Sequence, residues 1–379
     1  MFYLSIIFII FLLLYFFLSL ISMFFQYCRH ERSEKHRPRV SVIIAAHNEE
    51  EKLPACLQSL RELDYPNEKL EFILINDRST DSTEKLMKEF SLKEKNAKII
   101  TINRIDPQTQ GKVNSLIQGV RASSGDFLFF TDADCIAPPK WIKSHINGYE
   151  KNIGMVGGYL VLDDPNNNQS LFSKVQSIDW IYLTSIAMSW CNMGHPLSIF
   201  GNNFSIRKDV YESIGGYEAV NNHIIEDFAL CRNLFKKGTH RIHITMDSDG
   251  AVYTHPVKNL KEFMIQRKRW AIGCRYHGPV AYLLMSVLFF SHMLTLLFLI
   301  SGNLLMAALG VVVMVTSDMA VLWHPLNSLK RGYLLKLIPI FKLYQICYTT
   351  LMAPYMFFAT RVEWKDSEYL YKSYNCMFL

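Results

Sequence analysis

The residues best suited to chemistry are acidic: Asp77, Asp132, Asp134, Glu226 and Asp227. Asp132 and Asp134 are separated by one residue, so at a strand end two oxygen ligands can reach one Mg²⁺ or Mn²⁺ ion that also holds a diphosphate. A D-x-D spacing also occurs in plain solvated turns, here before Pro138-Pro139, so its meaning depends on its surroundings. Glu226 and Asp227 precede Phe228-Ala229-Leu230, a helix start where acidic residues are favoured and a carboxylate is held rigidly. Gln266, Arg269 and Trp270 stand at i, i+3 and i+4, which on a helix places them on one face, with Arg267 and Lys268 pointing elsewhere. A basic helix approaching a membrane would explain the charges there but not the Gln and the Trp.

These residues need a scaffold, and the hydropathy pattern supplies one. Val40 to Ala46 is an apolar run rich in β-branched residues, as expected of a buried strand; Asn48 is then expected to cap a helix carrying Leu53, Leu57, Leu60 and Leu63. A second strand runs from Leu70 to Ile75 and ends at Asn76-Asp77, and Asp81 with Glu84 has the form of a capping box for the next helix. A short strand at Lys98 to Ile102, a helix from Lys112 to Ala122 and a strand from Asp126 to Phe130 follow. Alternating strands and helices predict a mainly parallel, doubly wound α/β sheet, which binds ligands beyond the carboxyl ends of its strands. Asp77, Asp132 and Asp134 all stand at such ends.

Taken together, the segments resemble family 2 glycosyltransferases, inverting enzymes of the GT-A fold, over about residues 39 to 275. Ala45-Ala46-His47-Asn48-Glu49 resembles the family opening, in which backbone at Ala45 and the acidic Glu49 would line the nucleoside pocket. Asn76-Asp77-Arg78-Ser79-Thr80-Asp81-Ser82-Thr83 resembles the next motif; Asp77 would bind the uracil ring, and Asn76 replaces an acidic residue common in the family. Gly111-Lys112 resembles the glycine-lysine step whose ammonium supports the diphosphate. By the same resemblance Asp134 is the direct metal ligand with Asp132 nearer the ribose, Glu226-Asp227 supplies the base, and Gly201-Asn202-Asn203 matches the loop that receives the acceptor. Gln266-Arg267-Lys268-Arg269-Trp270 resembles the Q-x-x-R-W motif of membrane-bound members that make polysaccharides or glycolipids.

The apolar residues gather at the two ends of the chain. Phe2 to Phe25 carries no charge and is long enough to span a bilayer, and Arg29, Arg32, Lys35, Arg37 and Arg39 follow it, which places the middle of the chain in the cytoplasm. Pro279 to Trp323 is about 68 Å long if helical, enough for two spans turning at Ser301-Gly302-Asn303 and returning to the basic Lys330, Arg331 and Lys336. Leu343 to Thr360 is shorter and contains Pro354, so its length fits a span or a re-entrant or interfacial helix. Asp318 marks a pathway if it stays inside the membrane, but five residues before Trp323 it is close enough to reach the interface. Leu171, Val175, Ile178, Tyr182 and Ile186 form an apolar stripe that suits a membrane-surface helix or a buried one. The net charge of +6 is modest and beside apolar segments, which argues against nucleic acid as a partner; the eight scattered cysteines carry no disulfide or zinc spacing.

The expectation is therefore an N-terminal transmembrane helix (1–27), a cytoplasmic GT-A domain (38–277), a C-terminal transmembrane region (278–360) and a tail (361–379). The expected reaction moves a sugar from a UDP-hexose or UDP-N-acetylhexosamine to a saccharide or lipid acceptor at the cell membrane, with Mg²⁺ or Mn²⁺. A processive β-polysaccharide synthase is the rival within the class. A nucleotidyltransferase lacks its glycine-rich loop here, and an inactive membrane scaffold leaves the carboxylates unexplained.

Overall fold

The structure, a computed structural model, describes residues 2–26, 37–104, 112–162, 169–220, 225–274, 278–352, 354, 358, 361–364 and 367–370. Two compact units divide the chain: residues 28–168 with 190–255, and residues 1–27 with 169–189 and 256–379.

The first unit holds a seven-stranded sheet in the order β3-β2-β1-β4-β7-β5-β8. Its left half is β1 (Val40–Ala46), β2 (Leu70–Asp77), β3 (Ala97–Ile102) and β4 (Phe127–Phe130), all mutually parallel. β1 is buried along its length except at Ala45, as its largely apolar sequence requires, and its one polar residue, Ser41, donates to Glu71 Oε1 at 2.6 Å. The helices α2 (Leu53–Arg61), α3 (Thr83–Lys93), α4 (Lys112–Ala122) and α5 (Trp141–Asn147) connect or follow these strands. The right half contains β5 (Ile153–Gly157), β7 (Phe204–Arg207) and β8 (Arg241–Ile244); β7 alone runs against its neighbours. β6 (Leu160–Leu162) and β9 (Val252–Thr254) form a small parallel ladder of their own. The expected mainly parallel α/β sheet is present.

Two local expectations fail. Asn48 does not cap α2: it adopts a left-handed conformation (φ 53°) and its Oδ1 accepts from the Thr80 amide at 2.8 Å. Asp81 and Glu84 form no capping box, because Asp81 accepts from the amides of Glu50 and Thr83 while Glu84 turns to Lys88 and Thr101. Asn48 and Asp81 are taken up in lacing two loops together. A short asparagine or aspartate side chain serves a tertiary partner as readily as a helix end.

In the second unit, α1 (Phe2–Phe25), α10 (Pro279–Ile300) and α11 (Leu304–Ser328) are long and apolar enough to cross a membrane. The turn between the last two falls at Ser301-Gly302-Asn303, with Asn303 accepting from the Met306 amide as an N-cap. Phe8, Leu12, Tyr15, Leu294, Phe298 and Met314 interdigitate at the centre of the three helices. A Cβ at Gly310 would lie 2.7 Å from the Phe8 ring and 2.5 Å from Thr295 Oγ1, so only glycine allows this close approach. α6 (Leu171–Asn192) is exposed at its first residue and largely buried from Val175 onward, which supports the buried reading of its apolar stripe.

The last apolar region does not form a long helix among the described residues: α12 (Ile338–Cys347) passes into a π-helical turn at Tyr348–Met352. Residues Arg361–Trp364 and Ser367–Leu370 pair as an antiparallel hairpin, β10 and β11. α12 carries Lys342 into the bundle, where its Nζ lies 2.6 Å from Asp318 Oδ2, both side chains fully buried. Asp318 is thus enclosed by protein and partnered. Lys342 also donates to Tyr15 Oη (3.0 Å) and Gln345 Oε1 (2.6 Å) and lies 3.2 Å from His292 Nε2, while Tyr15 donates to Asp318 Oδ1 at 2.6 Å. One charge pair thus ties α1, α10, α11 and α12.

Removing one partner strands the other charge in an apolar bundle, at a cost of about 3–5 kcal/mol. Lys342→Met is expected to lower the Tm of the detergent-solubilised protein, and Asp318→Leu/Lys342→Met to recover part of the loss. Thermal unfolding followed by tryptophan fluorescence checks both, and an unchanged Tm for the single variant would contradict the assignment.

Candidate active site

The register of the parallel strands brings the acidic ends together. Ala46 stands opposite Asn76 and Ile43 opposite Phe130, so β1, β2 and β4 all deliver their following residues to one edge of the sheet. Asp77 ends β2; Asp132 and Asp134 follow β4; Ala45 and Glu49 lie at the end of β1. The reversed strand β7 begins at that same edge, since Phe130 pairs with Phe204, and so places Gly201 and Asn202 there.

On the nucleoside side, the loops after β1 and β2 hold one another. The Glu49 amide donates to Thr83 Oγ1 at 2.9 Å and the Ser82 amide to Glu50 Oε2 at 2.9 Å. Asp77 is buried with its Oδ1 accepting from Arg78 Nε at 2.8 Å, and its carbonyl lies 2.6 Å from His47 Nδ1. Backbone and side chain of Asp77 are thus fixed from both neighbouring loops.

Around Asp132 a chain of contacts links the remaining candidates. Lys112, at the start of α4, pairs with Asp132 and lies 3.8 Å from Glu226 Oε1. Burial alone would lower the Lys112 pKa, but the Asp132, Glu226 and Asp227 carboxylates outweigh it and hold the ammonium above its ordinary value. Gly111 lies outside the described residues. Glu226 and Asp227 open α8 (Glu226–Lys237) as expected. Asp227 accepts from its own helix through the Phe228 amide (2.7 Å) and, with its other oxygen, from the Gly201 amide. A Cβ at position 201 would meet Asp227 Oδ2 at 2.9 Å, so this contact requires glycine.

Asn202 donates to Cys135 Sγ at 3.7 Å, and Cys135 in turn points its thiol at Asp134 Oδ1, 3.5 Å away. Burial, then the Asp134 and Asp132 charges, raises the Cys135 pKa, so this sulfur remains a thiol. Asn203, by contrast, is structural: wholly buried, it accepts from Trp141 Nε1 and donates to the carbonyls of Tyr159 and Gly250. The loop after Asp134 is pinned by Ile136, which exchanges backbone hydrogen bonds with Tyr253 of β9.

Two contributors went unread in the sequence. Lys52 lies 3.6 Å from Asp134 Oδ2, and Cys135 bridges the D-x-D segment to the Gly201-Asn202 loop. Lys52 stands three residues after Glu49, one basic group beyond an acidic run; that charge break was the available signal. Cys135 follows Asp134 directly and offered none beyond adjacency.

No group of three metal-ligating side chains occurs among the described residues. A Mg²⁺ or Mn²⁺ ion that keeps several waters and takes substrate phosphates needs only one or two carboxylates. Asp132 and Asp134, about a third exposed and supplying hard oxygen donors, fit that requirement.

In the second unit, Gln266, Arg269 and Trp270 lie on α9 (Leu260–Cys274), which is the helix their spacing predicted. Arg267, expected to point away with Lys268, is instead the most buried residue of the motif at 2% exposure. Its guanidinium carbon lies 4.3 Å from the centroid of the Trp270 ring and occupies one face of the indole. Residues i and i+3 share a helical side, and the aromatic neighbours bury the arginine.

Residues 41–215 match the family described as Glycosyl transferase family 2. Among curated relatives, the probable glycosyltransferase YdaM of Bacillus subtilis is 30% identical over 251 residues, covering 64% of this chain and 56% of that protein. The poly-beta-1,6-N-acetyl-D-glucosamine synthase of Staphylococcus aureus is 28% identical over 267 residues, 66% of this chain and 60% of the relative. The chain thus spans little more than half the length of these two relatives. Among solved structures, the mannosyltransferase PcManGT from Pyrobaculum calidifontis, in complex with GDP-Man and Mn²⁺, superposes with a TM-score of 0.56 at 16% identity, covering 90% of this chain and 99% of that one. The last likeness is one of fold and matches the GT-A arrangement. With the carboxylates of its strand ends gathered at the carboxyl edge of such a sheet, the segment of residues 41–215 is a glycosyltransferase family 2 domain.

Proposed function

We propose that the chain transfers a sugar, with inversion, from a nucleoside-diphosphate sugar to a saccharide or lipid acceptor at a membrane, and that the donor is a UDP-hexose or UDP-N-acetylhexosamine. The observation that carries this reading is the linked set Asp134, Asn202, Gly201, Asp227, Glu226, Lys112 and Asp132 around one sheet edge. In it Asp77 and Glu49, with backbone at Ala45, bind the nucleoside; Asp132 lies beside the ribose; and Lys112 steadies the diphosphate. Asp134 and Asp132 would hold Mg²⁺ or Mn²⁺, which when bound supplies positive charge to the leaving diphosphate.

Asp227 takes the proton of the acceptor hydroxyl as that oxygen attacks the anomeric carbon, and the bond to the diphosphate oxygen breaks in the same displacement. Two backbone amides already hold its carboxylate, and lone pairs remain for the incoming proton. Glu226 keeps the Lys112 ammonium beside the site. Gly201 and Asn202 border the acceptor's approach, and from the motif resemblance Gln266, Arg269 and Trp270 serve the acceptor and the diphosphate. The charge rule supports a cytoplasmic catalytic domain between spanning helices. Similarity to the Staphylococcus synthase supports a second reading, processive synthesis of a β-linked polysaccharide, and product sizing by gel filtration separates the two.

Three outcomes are expected. Asp227→Asn lowers turnover by about 10²–10⁴-fold while donor affinity, measured by titration calorimetry, stays close to wild type; equal losses of binding and turnover would remove the base assignment. Asp134→Ala loses most activity together with Mn²⁺ binding, measured by electron paramagnetic resonance, and full turnover in excess chelator would exclude the metal. Gly201→Ala pushes a methyl against Asp227 and reduces turnover at least tenfold with little change in Tm; a fully active Gly201→Ala enzyme would show that the contact is dispensable.

A further inference from the structure

The second residue of the Gln266-to-Trp270 motif has no role in the reading above, yet it has the most elaborate surroundings on its helix. Arg267 is 2% exposed, and Asp179 of α6, its ionic partner, lies 2.5 Å from Nη2 and is itself buried. The guanidinium carbon is 4.7 Å from the Phe263 ring centroid, 4.3 Å from Trp270 and 5.6 Å from Tyr348. Tyr348 stacks on Tyr344 at 5.8 Å, and the Tyr344 hydroxyl donates to Asp179 Oδ2 at 3.3 Å. Arg267 Nε has no hydrogen-bond partner among the described residues; the cage answers the cation with ring faces.

The same helix grips the start of α9 one turn earlier. Gln176 donates to the Val257 carbonyl and accepts from the Val257 amide, both at 3.2 Å. Asn259 then caps α9, its Oδ1 accepting from the Glu262 amide at 3.0 Å, and the Glu262 carboxylate accepts from the Lys258 amide (3.1 Å) and from Asn259 Nδ2 (2.7 Å). Gln176 and Asp179 are three residues apart on α6, so the two grips fall on one face. The first fixes where α9 begins; the second fixes its rotation, because Arg267 can meet Asp179 in only one helical setting. Trp270 is locked further by Trp180, whose ring centroid lies 4.7 Å away at 88°.

We propose that Arg267 is a positioning residue: clamped by Asp179 and caged by Phe263, Trp270 and Tyr348, it sets the rotation of α9 and so the orientation of Trp270 and Arg269. This rests on the reading that Trp270 and Arg269 serve the acceptor and the diphosphate. A lysine carries the charge but not the plane, so it cannot fill the three-sided cage while reaching Asp179. Removing the Asp179 charge leaves the buried cation without its counterion.

The test uses the full chain in proteoliposomes, labelled with 5-fluorotryptophan and with the Trp270 signal assigned through Trp270→Phe. Arg267→Lys and Asp179→Asn are each expected to shift the Trp270 fluorine resonance. Each should also lower UDP release at least tenfold, from UDP-glucose or UDP-N-acetylglucosamine, whichever the wild-type protein turns over faster. An Asp179→Leu/Arg267→Met variant, which replaces the pair by apolar packing, is expected to keep the wild-type Tm and remain at least tenfold slow. An unmoved resonance in both single variants overturns the proposal, as does full activity in the apolar double variant. A separate outcome concerns the underlying reading: if Trp270→Ala keeps full UDP release while the resonance shifts persist, the cage stands and the role given to Trp270 falls.

Discussion

The pairing register of β1 against β2 and β4 is the constraint on which the candidate site depends. Ala46 stands opposite Asn76, and Ile43 opposite Phe130, so the loops carrying Glu49, Asp77 and Asp132 leave the sheet side by side. A slip of one residue would move every side chain to the other face of the sheet and separate register-specific pairs such as Ser41 and Glu71, whose Oγ and Oε1 lie 2.6 Å apart. The reversed direction of β7 completes the arrangement. A parallel strand there would begin at the far edge; an antiparallel one brings Gly201 to Asp227 and Asn202 to Cys135.

Electrostatics then follows from placement. Gathering carboxylates at one edge builds repulsion, and two lysines relieve it: Lys112 between Asp132 and Glu226, and Lys52 at Asp134. Against the opposing effect of burial, those carboxylates hold the Lys112 ammonium above its ordinary pKa. The apolar unit solves a similar problem by pairing, with Asp318 against Lys342 and Asp179 against Arg267, each buried and each surrounded by hydroxyl or aromatic groups. Neither pair is a cheap way to gain stability, since burying two charges costs several kcal/mol per ion. Their value lies in fixing one arrangement of helices over others.

What the sequence made legible was local. An unbroken apolar run with a glycine-containing turn gave α1, α10 and α11 to the residue at most ends, and helix-period spacing gave α4 and α9. Strand-end carboxylates, read with the family resemblance, gave Asp77, Asp132, Asp134, Glu226 and Asp227 as candidates, and the fold gathers them. What it hid was long-range. Lys342 stands just before the last apolar run and pairs with Asp318 inside the bundle; Arg267, expected to point away from the motif face, lies in an aromatic cage. Asn48 and Asp81 have the composition of helix caps, yet partners in neighbouring loops claim them, and Glu84 turns to Thr101 of β3. In each case the side chain's partner is dozens to hundreds of residues away or is set by a neighbouring loop, and no spacing rule encodes it.

The central claim is that one carboxylate, Asp227, promotes a single displacement at the anomeric carbon of a nucleotide-activated sugar. Proton NMR of the product as it first forms from an α-linked UDP-sugar tests this most directly, with transfer to water sufficing when no other acceptor is supplied. The account predicts that the β-anomer appears first and the α-anomer only later by mutarotation. The α-anomer appearing first would require two displacements or front-face attack, and would contradict it.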